Sequence, residues 1–143
     1  MNASEVTVRV VRRFDAPAER VFDAWLDPKS AGAWLFATTS GRMVHTAIDA
    51  RVGGCFSIVE RRDGVDVEHT GEYLEIMRPE RLSFTFYAPK CSARPTRVVI
   101  DVVARPPGCE LTLTHACVLT EYSSATEAGW TQILDGLART LGC

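Results

Sequence analysis

Residues 51–56 read RVGGCF and run on into SIVE. Two adjacent glycines can cradle a phosphate or let a sheet bend, and the two readings lead to different proteins. A phosphate loop needs a strand that passes through glycines into a helix N-terminus, where converging N–H groups meet the anion. Gly53 and Gly54 lead instead into CFSIVE, a strand-like run, with neither G-x-G-x-x-G nor G-K-[ST] around them. Glycine ahead of a strand permits backbone angles that other residues resist, so the pair predicts a bend or bulge in a curved sheet.

Outward from this bend, residues 43 to 118 alternate strand and turn: VHTAIDA, CFSIVE, VDVEHTGEYLEIM, LSFTFYA, TRVVIDVVA and ELTLTHACV. RDG, RPER, APKCSARP and RPPG separate them, and Asp63-Gly64 is a hairpin signal. Short connections without a crossover helix predict an antiparallel meander and argue against a parallel, nucleotide-binding sheet. Upstream, Val6, Val8 and Val10 share one parity in a strand that ends near Phe14. Pro17 and Glu19 then suit a first helical turn, with Val21, Phe22, Trp25 and Leu26 on one face. Pro28 starts a second short helix that runs toward Trp34. Downstream, Ser124 and Glu127 form a capping-box pattern before Trp130, Ile133, Leu134, Leu137 and Leu141, one amphipathic helix.

These elements predict an α+β fold in one domain over 1–143: a curved antiparallel sheet wrapped around a long C-terminal helix, with two short helices after the first strand. The sheet's inner face needs a cover, and the terminal helix supplies it. Where side chains leave the middle unfilled, an elongated apolar pocket results.

Composition narrows the function. The chain has 143 residues, 46% apolar and 24% charged, with 16 Lys plus Arg against 18 Asp plus Glu and a net charge of −2. That balance lacks the basic footprint of a nucleic-acid binder. No run of 18 apolar residues spans a bilayer and MNASEVTVRVVRRF has no apolar signal core, so the expected compartment is the cytoplasm. Cysteines 55, 91, 109, 117 and 143 form no C-x-x-C pair and read as reduced, mostly buried thiols.

FDAPAERVFDAWLDP, DARVGGCF, GEYLEIMRPERLSFTF, ELTLTH and GWTQILDGL, in this order, resemble the SRPBCC (START-like, helix-grip) superfamily. The similarity is to its branch like the C-terminal domain of the activator of the heat-shock protein 90 ATPase, and it reaches from about residue 8 to 141. The resemblance implies a hydrophobic cavity that holds lipids, polyketides or other apolar molecules, and in some relatives supports cyclase, hydrolase or resistance chemistry. The co-chaperone namesake is similar to this domain plus an additional N-terminal domain.

Candidate site residues follow from parity. His115 and Cys117 share parity with Leu111 and Leu113, which predicts an inner-face position. They offer a thiolate beside an imidazole, or the start of a metal site with His45, His69 or Cys55, or simply a hydrogen-bonded histidine and a buried thiol; the spacings match no metal signature, and no metal or cofactor is expected. His69 shares parity with Val65, Val67 and Tyr73 and is a candidate polar anchor. Trp34 and Trp130 stand at helix ends where large rings contact a ligand or fill core, and Leu82, Phe84 and Phe86 share one strand face. Asp49 and Arg51 read as an ion pair or turn hydrogen bond that pins the bend, while Glu60, Glu68, Glu72 and Glu75 have mixed face assignments. Lys90, Cys91, Arg94 and Arg97 fall in one loop that either gates a pocket mouth or is merely solvated.

The leading expectation is a domain that binds an apolar or amphipathic small molecule between sheet and C-terminal helix. Its ligand-binding candidates are Trp34, His69, Tyr73, Phe84, Phe86, His115, Cys117 and Trp130, with no catalytic residue assigned. A co-chaperone-like regulator of a chaperone ATPase and a cyclase or hydrolase are the alternatives, and a homodimer stays open.

Overall fold

A computed structural model describes residues 5–38, 40–87 and 95–142; Lys90, Cys91, Arg94 and Cys143 lie outside them. β1 (Glu5–Phe14) leads to Pro17, whose carbonyl accepts from the backbone N–H groups of Arg20 and Val21 and opens α1 (Ala18–Ala24). α2 (Pro28–Trp34) starts on Pro28, and the Asp27 side chain caps it by accepting from the Lys29 N–H at 3.1 Å. Then come β2 (Arg42–Ile48), β3 (Cys55–Arg62), β4 (Val65–Met77), β5 (Arg81–Phe86), β6 (Thr96–Arg105) and β7 (Gly108–Leu119). α3 (Ser123–Leu141) closes the order with 19 residues.

The seven strands form one antiparallel sheet in the order β1-β7-β6-β5-β4-β3-β2, a meander whose first strand returns to lie beside the last. Trp130, Leu134, Leu137, Ala138 and Leu141 of α3 are buried against it, so the periodic helix face is the cover the sheet needs. Polar ties fix the helices on the sheet and on each other. Arg12 of β1 pairs with Asp135 of α3, the Arg20 guanidinium donates to the Leu141 carbonyl at 2.7 Å, and Arg78 holds Asp23 of α1 in a two-pronged contact at 2.7 and 2.9 Å.

The double glycine is the bend. It ends the 49–54 turn between β2 and β3, where Gly53 has φ +85° and a Cβ on Gly54 would lie 2.2 Å from the Asp49 carbonyl oxygen. The Gly53 N–H donates to Tyr73 O and the Tyr73 N–H to Gly54 O, both at 2.9 Å, which fastens the turn to β4; Arg51 pairs with Asp49 at 2.8 Å, as the sequence predicts. A second close approach lies within β4, where a Cβ on Gly71 would meet Thr85 O at 1.8 Å and the Phe56 ring at 2.5 Å.

One boundary differs from expectation. A 3-10 turn, Thr120–Tyr122, feeds straight into α3, whose N-cap is Tyr122 without a side-chain cap bond. Ser124 and Glu127 therefore sit inside the first turns rather than forming a capping box. The tight turn positions the entering chain, and the Ser123 hydroxyl donates back to Thr120 O at 2.9 Å.

Candidate ligand-binding interior

Alternation along the strands turns His69 and Tyr73 of β4, Phe84 and Phe86 of β5, and Leu111, Leu113 and His115 of β7 to the inner face, all buried. Trp25 at the end of α1, Trp34 at the end of α2, Phe36 just beyond it and Trp130 of α3 meet them from the other side. Their rings form one connected cluster. Trp25 stands edge-on to Trp34 with centroids 4.8 Å apart, and lies 6.3 Å from Trp130 and 6.4 Å from Phe84. Phe36 stacks on His69 at 4.6 Å and lies 5.1 Å from Phe86 and 5.7 Å from Trp130. Tyr73 touches the cluster through Phe56 and Phe84. Among the described residues, the space that the sequence left open for a pocket is thus occupied by rings. Two solvent-open depressions lie beside it: one of about 930 Å³ across β2–β5, walled by Ile48, Cys55, Phe56, Thr70, Thr85 and Tyr87, and one of about 550 Å³ beside α1, α2 and Leu141.

Seven of the eight predicted ligand-binding residues are brought together. Cys117 is the exception. Val8 pairs with His115 but Val6 with Val118, so two steps on β1 face three on β7, and Cys117 takes a left-handed φ of +67° in the bulge. The extra residue reverses parity: Val118 turns inward, and Cys117 is exposed. The thiol is therefore not the imidazole's partner on the inner face.

His115 is fully engaged by protein. Trp130 Nε1–H donates to its Nδ1 at 3.0 Å; Nε2 then carries the hydrogen and meets Thr96 Oγ1 at 2.6 Å, and the threonine hydroxyl donates to Phe86 O at 3.1 Å. Burial lowers its pKa to about 4, so it is a neutral strut. His69 Nδ1–H donates to Ile58 O at 3.2 Å, which leaves Nε2 as the acceptor nitrogen; desolvation first, with Arg62 adding, lowers its pKa to about 4. Burial, with Asp49 adding, pushes the Tyr73 phenol up. Among the described residues, no three His, Cys, Asp or Glu side chains gather as a metal site.

Four residues outside the predicted ligand-binding set also shape this interior. Glu60, 0% exposed, accepts from Thr38 N–H at 2.6 Å and Thr38 Oγ1 at 3.0 Å and pairs with Arg62. Arg62 in turn donates to the Phe36 carbonyl at 3.2 Å. Phe36 has φ +60°, a left-handed backbone that bulky residues resist, and its ring reaches the cluster's centre. Trp25 lies on the helix face that the sequence predicted, yet among the described residues its indole N–H, like that of Trp34, is buried without a partner. Parity with Phe56 and Ile58 was a signal for Glu60; no local signal marks the backbone of Phe36.

A curved seven-stranded antiparallel sheet, two short helices after its first strand and a long terminal helix define the helix-grip class. Residues 15–142 match the family described as "Activator of Hsp90 ATPase homolog 1-like protein", and the chain belongs to that family. Protein CV1439 from Chromobacterium violaceum is similar, at 27% identity and TM-score 0.84 over 93% of this chain and 94% of that one. The fold also resembles that of an AHSA1-like protein from Aeromonas hydrophila (23% identity, TM-score 0.83, covering 96% and 92%). It likewise resembles SA2116 from Staphylococcus aureus, a protein of unknown function (16% identity, TM-score 0.87, covering 99% and 96%). No curated protein matches the chain. Among the described residues, no helix is long and apolar enough to cross a membrane.

Proposed function

We propose that the protein binds a small, mainly apolar molecule in the ring-lined interior between sheet and α3, and that Phe36 vacates the space the ligand takes. The observation that carries this reading is Phe36 itself. A left-handed phenylalanine costs about 1–2 kcal/mol, yet here that backbone aims the ring among His69, Phe86 and Trp130 and its carbonyl at Arg62. A ring held centrally by a strained connection outside any helix or strand is the easiest one to displace. Apolar burial would supply most of the affinity, at about 25 cal/mol per Å² removed from water.

Native mass spectrometry against a library of one- and two-ring apolar compounds tests this, with wild type and Phe36→Gly in parallel. Glycine keeps the left-handed backbone and removes the ring, so the variant should bind more compounds and bind them more tightly. If neither form retains any compound, the reading fails. The family description names an ATPase activator, which supports a co-chaperone as a second reading. A chaperone ATPase rate raised by this protein would favour it, and an unchanged rate would count against it.

A further inference from the structure

Resting on the interior site proposed above, we infer that the ligand carries an uncharged hydrogen-bond acceptor, a carbonyl, ether or hydroxyl oxygen, which the indole N–H groups of Trp25 and Trp34 receive. Both residues are 1% exposed, and among the described residues neither Nε1 has a partner. Among the described residues these two are the fully sealed side-chain polar atoms without a partner; Trp130 is matched by His115, His115 also by Thr96, Thr96 by Phe86 O, and Glu60 by Thr38 and Arg62, while His69 is bonded through Nδ1 alone. The two rings that carry these donors adjoin, perpendicular with centroids 4.8 Å apart.

Indole nitrogen donates and never accepts, so a cation or a second donor gains nothing here, and only an acceptor completes the pair. Among the described residues, the guanidinium that reaches this interior through the Phe36 carbonyl, Arg62, is already paired with Glu60, so it offers a ligand carboxylate no free counter-charge. A neutral oxygen on an otherwise apolar body satisfies both the donors and the surrounding rings. The donors are also held in place. Trp25 and Trp34 end two helices, Asp27 caps the second of these, and the Cβ of Trp34 faces Gly136 of α3.

The test uses two probes of one shape, 2-acetylnaphthalene and 2-isopropylnaphthalene, measured by equilibrium dialysis against wild type, Phe36→Gly, Trp25→Phe and Trp34→Phe. Phenylalanine keeps an aromatic ring and removes the donor. Each tryptophan substitution should weaken the ketone by roughly 3- to 10-fold, the worth of one hydrogen bond, and leave the hydrocarbon within about twofold. Equal changes for both probes, or an unchanged ketone, overturn the acceptor inference and leave the interior site standing. Failure of both probes to bind wild type and Phe36→Gly overturns the site itself. Should a tryptophan variant not fold, the infrared carbonyl stretch of the ketone on the wild-type protein decides: a shift to lower frequency than in alkane supports the donors, and an unshifted band overturns them.

Discussion

The indole of Trp130 donates to Nδ1 of His115 at 3.0 Å, and His115 in turn reaches Thr96, so a side-chain chain ties α3 through β7 to β6. Trp130→Phe keeps a ring but strands the histidine's acceptor in a buried site. It should cost about 1–3 kcal/mol in urea denaturation, with the denaturant dependence of the unfolding free energy unchanged. A double-mutant cycle with His115→Ala should show coupling, because the two substitutions remove one shared bond.

Acid should weaken the fold through its two buried histidines. Both have folded pKa values near 4 against about 6.5 when unfolded. Above pH 6.5 both states are neutral and the stability is intact; as pH falls from 6.5 toward 4, the unfolded chain takes up the protons first and stability drains away. The loss should be on the order of 3 kcal/mol per histidine across that window. Urea midpoints measured at half-unit pH steps check this. His69→Phe, which keeps the ring contact with Phe36, should flatten the slope by about half.

Glu60 and Arg62 should behave asymmetrically. Glu60→Gln keeps an acceptor for Thr38, whereas Arg62→Met leaves a buried carboxylate without its cation. Breaking such a pair costs about 3–5 kcal/mol, so Arg62→Met should lower the thermal midpoint more than Glu60→Gln does. The reverse order in calorimetry would show that the pair does not hold the Phe36–Thr38 connection.

The bulge in β7 makes a chemical prediction. Among Cys55, Cys109 and Cys117, the first and last are exposed and Cys109 is buried, so peptide mapping after a brief maleimide pulse should find label on Cys55 and Cys117 only. Cys117→Gly relieves a left-handed residue at an exposed position and should stabilise by about 1 kcal/mol.

Gly71→Ala should be among the more damaging single-methyl additions in the chain. Its new carbon would lie 1.8 Å from a backbone oxygen of β5, so the strands must part there. A destabilisation above about 2 kcal/mol is expected in calorimetry, with no rescue by Phe56→Leu, since the main obstacle is backbone.

The sequence carried the architecture because period and punctuation agree. The parity of Leu111, Leu113 and His115 placed that strand face correctly, Pro28 marked the second helix, and Asp63-Gly64 made its turn. The same reasoning failed at Cys117, because a bulge shifts every later residue by one and no local residue type announces it. Phe36 was invisible for a similar reason: the groups that meet its left-handed residue are distant in sequence, Arg62 on its carbonyl 26 positions away and the rings around its side chain. Whether the middle is hollow is likewise a matter of summed side-chain volume, which alternation does not encode.

Trp25, Trp34 and Trp130 are the chain's 3 tryptophans, and all sit in the one ring cluster. Ultraviolet light absorbed by the protein's indoles is therefore absorbed at the site in question, and the close perpendicular pair couples its transitions. The fluorescence colour and lifetime of the unlabelled protein thus form a built-in optical gauge of whatever enters, with no dye attached and no background from indoles elsewhere.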